Sequence, residues 1–222
     1  PEIMDGTFSF APSEGTGQNR EGRVAALKLL NEAGYVLRNG TLVNAETGEP
    51  FTFEILARTR GQERLLLTYA NALKRVGIDV RIRQVDSAQY ERRKQTFDFD
   101  MIPNFWGASL SPGNEQSFRW GSKAANTQGS FNLAGVENEA VDAMITAMLE
   151  AKTREDFVSA VRALDRVLLS GDYVIPLFYL PDQWVARWAK LKRPEKTPLY
   201  GYQIDTWWAD PADDTRSQMQ KR

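Results

Sequence analysis

FTFEILARTRGQERLLLTYANALKRVGIDVRIRQVDSAQYERRKQTFDFDMIPNF, residues 51–105, decides the fold. Its first eight residues, Phe51 to Arg58, form a β-branched and aromatic run that reads as a strand. Gln62 to Val76 follows as an amphipathic helix, because Leu66, Tyr69, Leu73 and Val76 recur at three- and four-residue spacings and make one apolar stripe. Gly77 supplies the left-handed residue that ends it. Ile78 to Val85 is a second strand, a short polar helix comes next, and Asp98 to Phe105 reads as a third strand. Two strands joined by a helix of this length run parallel, so the unit is a right-handed βαβ crossover. The loop Trp106 to Glu115 (WGASLSPGNE) then leaves the carboxyl end of the third strand, where open α/β sheets place their ligand crevices.

Upstream, residues 1–19 carry Gly, Pro, Ser and Thr without a period and read as an incoming extended segment. Asn19 caps a helix from Arg20, whose Val24, Leu27 and Leu30 form a core stripe ending at Gly34. Tyr35-Val-Leu meets Thr41-Leu-Val across Arg38-Asn39-Gly40, a hairpin signal, and Thr47 to Pro50 turns into the βαβ unit.

Downstream, Ser117 to Val136 is a long Gly-, Ser- and Asn-rich stretch that reads as a functional loop pinned by Phe118, Trp120 and Phe131. Asn138 to Lys152 is the most regular helix, with Val141, Met144, Ile145, Met148 and Leu149 on one face. Thr153 to Asp156 has the spacing of a capping box for a second helix through Phe157, Val161, Leu164 and Leu168 to Gly171. The short junction makes the two an antiparallel hairpin. Tyr173 to Leu180 reads as a strand, with Pro176 confining it to an edge or bulge. From Pro181 onward four tryptophans, Trp184, Trp188, Trp207 and Trp208, lie in a stretch with no helical period, which calls for a surface to cover.

Composition narrows the chemistry. The 222 residues can bury a substantial core and hold one large domain, or one domain and part of another. The formal net charge is −1, so no bulk field draws in nucleic acid or an anionic membrane. With neither His nor Cys, disulfides, thiolate nucleophiles, Ser-His-Asp relays and Cys/His zinc sites are excluded. No run is long and apolar enough for a bilayer span. The chain opens on Pro1, as a processed chain or fragment would, and a targeting signal ahead of residue 1 would leave the compartment open.

Two constellations compete for a function. Asp98 and Asp100 flank Phe99, and on a strand both carboxylates share a face. Such a pair can hold a divalent metal and a nucleotide sugar, which defines a metal-dependent transferase as the enzymatic alternative. Against it stands a binding site at the sheet's carboxyl end. There Arg58 can meet a ligand carboxylate, and Trp106 forms a platform beside Ser109, Asn114 and Glu115.

The order AALKLLNEAGY, FTFEILAR, GIDVRIRQVDSAQYERR, FDFDM, WGASLSPGNE, the N-x-x-G of Asn132 to Gly135, VDAMI, ALDRVL and YVIPLFY resembles the ABC-transporter solute-binding proteins of the oligopeptide, dipeptide and nickel family (family 5). The SLSPGNE loop and Trp207-Trp208 look like the subgroup associated with oligopeptides and microcin C. The resemblance implies an α/β, periplasmic-binding-protein-like lobe over residues 20–180, with a βαβ core and a helical hairpin. Residues 181–222 would be a tail packing on that lobe or returning toward an absent first lobe. It implies capture of peptide-like solutes in an interlobe cleft, delivery to ABC permease subunits, a periplasmic location and no catalysis, cofactor or metal. The implied ligand-binding set adds Asn104 and Asn132 to the residues named above. Relatives commonly hold the peptide's ammonium with an Asp just after the corresponding Trp. Residues 109–115 contain no Asp, and Glu115 is the nearest acid to take its place.

Overall fold

The computed structural model describes residues 19–107, 111–178, 182 and 184–209. The chain divides into two units, one ending at Val174 and one beginning at Ile175.

In the first unit, α1 (Arg20–Glu32) starts at Asn19, whose Oδ1 accepts the Gly22 N–H at 2.7 Å. Leu27 and Leu30 pack inward as the period requires, but Val24 is mostly exposed. A one-sided helix over a small hairpin has room for only part of its stripe. The hairpin is β1 (Tyr35–Arg38) paired antiparallel with β2 (Thr41–Asn44). Asn39 and Gly40 both take positive φ, as a two-residue primed turn demands.

The central unit is β3 (Thr52–Ala57), α2 (Arg60–Lys74) and β4 (Asp79–Gln84), with the strands parallel and Ile55 opposite Ile82. Thr59 and Gln62 form a reciprocal capping box at the start of α2. Alternation along β3 separates two interiors. Ile55 and Ala57 face Leu66 of α2, whereas Leu56 faces Val85 and Tyr90. Tyr90 belongs to α3 (Ser87–Gln95), so the sheet is covered on both faces. Farther along α2, Leu73 joins Val76, Ile78 and Leu42 in a separate cluster that fastens the helix to the hairpin. Gly77 sits at φ +86°, and its carbonyl accepts the Leu42 N–H at 2.8 Å. A Cβ there would lie 2.7 Å from that nitrogen, so glycine is required for this approach as well as for ending the helix.

The third strand contracts to one bridge. Met101 pairs parallel with Ile55, exchanging backbone hydrogen bonds with Glu54 and Leu56. The Asp100 carboxylate accepts the Glu54 N–H at 2.8 Å, and Pro103 has no N–H to donate. The side chain therefore takes part of the ladder's role and the ladder cannot continue beyond it.

The expected loop from Ser117 is also corrected. It contains most of α4 (Glu115–Trp120) and all of α5 (Ser122–Ala125). Beyond them, α6 (Glu139–Glu150) and α7 (Arg154–Ser170) enclose Val136, Val141, Ile145, Met148, Ala160 and Leu164, with Trp120 packed on that cluster. Leu149 remains exposed. Asn138 caps α6, and Thr153 Oγ1 accepts the Asp156 N–H at 3.1 Å to cap α7.

Tyr173–Phe178 makes no strand ladder, and Tyr179 and Leu180 of that expected strand lie outside the described residues. In the second unit, β5 (Leu191–Lys192) pairs antiparallel with β6 (Trp208–Ala209). Tyr202 meets Trp207 edge-on and lies beneath the Arg193 guanidinium, 4.7 Å from the ring centre. Trp184 and Trp188 are exposed, at 96% and 73%.

Candidate functional site

A cavity of about 270 Å³ opens where the chain runs past Met101 toward Trp106. Tyr90 helps to hold this run, its hydroxyl donating to the Pro103 carbonyl at 3.0 Å. Burial pushes the Tyr90 hydroxyl's pKa up, with the Arg58 charge opposing that rise, so it remains a donor. Phe105, Trp106, Phe118 and Phe131 supply the aromatic wall. Lys94, Asn104, Glu115 and Arg119 supply the polar groups.

Trp106 stacks on Trp120 with ring centres 5.5 Å apart and planes inclined by 29°. Since Trp120 also packs on the α6–α7 cluster, the platform is braced from the helical core. The Trp106 Nε1–H is buried and has no hydrogen-bond partner among the described residues. Arg119 donates from Nη2 to the Gly107 carbonyl at 2.8 Å, tying α4 to the far side of the opening.

Glu115 turns back on its own loop. Both carboxylate oxygens accept the Gly113 N–H at 3.0 Å, and Oε1 also accepts from Gln116 Nε2 at 3.2 Å. These bonds, that from Gly113 foremost, hold its pKa below the ordinary carboxylate value, with Arg119 adding to the effect. The group therefore faces the cavity as an anion with few acceptor positions left.

The residues singled out in the sequence do not all meet here. Asn104, Trp106 and Glu115 line the cavity together. Asn114 is exposed at the start of α4, and its side chain makes no capping bond. Arg58 is not a lining residue: it pairs with Glu91 at 3.5 Å and lies over the Tyr90 ring. Asn132 is wholly buried. Its Nδ2 donates to the Gly121 and Val136 carbonyls, and its Oδ1 accepts the Val136 N–H. Its amide thus folds the stretch that presents the aromatic wall, and none of these bonds points to a ligand. Ser109 lies outside the described residues.

Sequence reasoning missed Lys94 and Arg119. Both look like ordinary surface cations on polar helices, and only the crossing of two distant segments brings them to one opening.

The acidic pair takes another part. Arg93 Nε donates to Asp98 Oδ2 at 2.9 Å while its Nη1 meets Glu54 at 3.0 Å, and Asp100 holds the Glu54 backbone. Each carboxylate is thus tied to a protein donor beside β3. Among the described residues, no group of three or more His, Cys, Asp or Glu side chains is placed to hold a metal ion.

Comparison with known proteins supplies the family. The model of bacterial extracellular solute-binding proteins, family 5 (middle), matches residues 3–128. The chain belongs to that family. It is 53% identical over 207 residues to a putative binding protein of Brucella suis biovar 1, covering 93% of this chain and 34% of that protein. It is 44% identical over 213 residues to the probable peptide-binding protein YejA of Agrobacterium fabrum, covering 96% of this chain and 35% of YejA. The chain therefore spans about a third of the length of the curated relatives it matches. Among solved structures, the oligopeptide-binding protein AppA of Bacillus subtilis in complex with a nonapeptide aligns with a TM-score of 0.69 at 19% identity, covering 94% of this chain and 44% of AppA. That likeness establishes the family 5 lobe as the fold. Nothing in these comparisons supports a transferase. Family 5 comprises binding proteins, and among the described residues no helix is long and apolar enough to cross a membrane.

Proposed function

We propose that this chain forms one wall of the ligand cleft in an extracytoplasmic receptor that captures peptide-like solutes and hands them to an ABC permease. The observation that carries this reading is the Trp106 cavity. It combines an aromatic wall with a few convergent polar groups, as small-ligand sites do. Relatedness to a probable peptide-binding protein favours peptides as the solute class. Binding occurs without chemistry, and closure of two lobes around the ligand excludes water. Residues 20–180 are the lobe, preceded by the incoming segment 1–19. Residues 181–222 serve the missing first lobe, which their exposed tryptophans are suited to meet.

Within the cavity, Trp106 is the platform for ligand apolar surface and Asn104 a neutral hydrogen-bonding group. Glu115 Oε2 keeps a lone pair for a peptide ammonium, with Asn114 and Ser109 as further acceptors from the same loop. Arg58 lies beyond this opening and would meet a longer ligand or one held differently.

Calorimetry with tri-, tetra- and pentaalanine tests the reading. The complete protein should bind at least one of them far more tightly than this chain alone, because a single wall leaves the ligand wet. Equal affinities would remove the half-site reading. In the complete protein, Glu115→Gln should weaken a free-amine peptide by about 2–5 kcal/mol if its charge is desolvated against the ammonium, and spare the N-acetylated form. Equal losses would take Glu115 out of the site.

A further inference from the structure

The cavity's donors and acceptors do not balance. Two cations, Lys94 and Arg119, line the cavity with one carboxylate, and that carboxylate already accepts from Gly113 and Gln116. Arg119 commits Nη2 to the Gly107 carbonyl, which fixes the guanidinium at the rim and leaves its other N–H groups to donate. Lys94 lies in the last turn of α3, where the helix dipole favours positive charge, and among the described residues its ammonium has no ion-pair partner. A lysine ammonium unpaired among the described residues, lining the same cavity as a guanidinium held by a backbone carbonyl, leaves an excess of positive donors around a space that can admit a small polar group.

We propose that this cavity takes an anionic group of the solute, a carboxylate or a phosphate, through the Lys94 ammonium and the Arg119 guanidinium. Arg119 offers planar N–H pairs to the anion and Lys94 a point charge. The aromatic wall lowers the local dielectric and strengthens both interactions. Glu115, held by its own turn and four residues before Arg119 on α4, keeps the two cations from acting as a general anion sink and leaves room for a solute group of opposite sign. The inference deepens the peptide-receptor reading and rests on it for the identity of the solute.

The test uses the complete protein and two probes, tetraalanine as the free acid and as its C-terminal amide. Calorimetry should show the acid binding at least tenfold more tightly. Lys94→Gln combined with Arg119→Gln should abolish that preference; far-UV circular dichroism and melting confirm that the variant is folded. Equal affinity for acid and amide, with both bound, overturns the anion site while the peptide reading stands. A preference that survives in the double variant overturns the assignment to Lys94 and Arg119. If neither peptide binds, the peptide reading fails, and titration with sodium acetate and inorganic phosphate, followed by tryptophan fluorescence, decides the anion site separately. Saturable quenching in the parent that is lost in the double variant supports it, with phosphate alone active pointing to a phosphorylated solute. No saturable response to either anion overturns it.

Discussion

The β3–α2–β4 unit and the Trp106 cavity are close in sequence and opposite in character. In the first, Ile55, Leu56 and Ala57 have no exposed surface, and the strands pair along their length. In the second, Phe105, Phe118 and Phe131 are largely exposed, and among the described residues a buried indole N–H has no hydrogen-bond partner and the Lys94 ammonium no ion pair. Folding removes such features where stability is the only demand, since an unmet buried donor costs about 1–3 kcal/mol. Their concentration at one opening sets it apart from the packed core. The two regions should therefore respond differently to substitution.

The largest effect belongs to the core. Leu56→Ala removes a side chain enclosed by Val85 and Tyr90 and should cost about 2–5 kcal/mol in urea unfolding. A loss below about 1 kcal/mol would show that the sheet's α3 face is loosely packed and would blur the contrast. Asn132→Ala comes next. It strips partners from the Gly121 carbonyl and from both backbone groups of Val136, and should cost about 1–3 kcal/mol for each group that water cannot reach. If Asn132 serves the ligand instead, the variant will keep its melting temperature and lose affinity.

How far these regions were legible follows from the range of the forces that build them. The βαβ unit is written in local periods: apolar residues every second position in β3, and every third or fourth in α2. The Asn39-Gly40 turn and the caps at Asn19 and Thr153 are equally local. The third strand is shorter than its period suggests because the Asp100 carboxylate, in place of a backbone acceptor, takes the Glu54 N–H. The stretch from Ser117 was underread because α4 and α5 are too short to show a period and are held by the distant contacts of Asn132 and Trp120. Of the cavity's lining residues, Trp106 stands out in the sequence through the turn residues around it. Lys94 and Arg119 do not, since their meeting depends on tertiary geometry alone.

A sharper contrast comes from Trp106→Phe. Truncating a core aromatic costs several kcal/mol, but here the indole's unpartnered N–H offsets much of what its extra ring contributes. Phenylalanine keeps a ring to stack on Trp120 and removes the unmet donor. Stability should change by less than about 1 kcal/mol in thermal unfolding, whereas peptide affinity should fall through loss of the larger platform. A core-like loss of stability would place Trp106 with the structural residues.

The smallest effect is electrostatic and is read by pH. Glu115 has its pKa lowered in the folded chain, chiefly by the Gly113 N–H, so the folded state favours the carboxylate more than the unfolded state does. Its contribution to stability is therefore complete above the unfolded pKa, near 4.5, and is lost as pH falls through the lower folded value. Melting temperatures of the parent and Glu115→Gln should differ most at neutral pH and converge on acidification below about 4. The gap should be modest, because the carboxylate is only partly withdrawn from water and its interactions are screened. A gap that instead widens toward low pH would require Glu115 to be stabilised in its protonated form. Such a group could not hold a peptide ammonium, and the cavity would then present its two cations to the solute without an opposing charge.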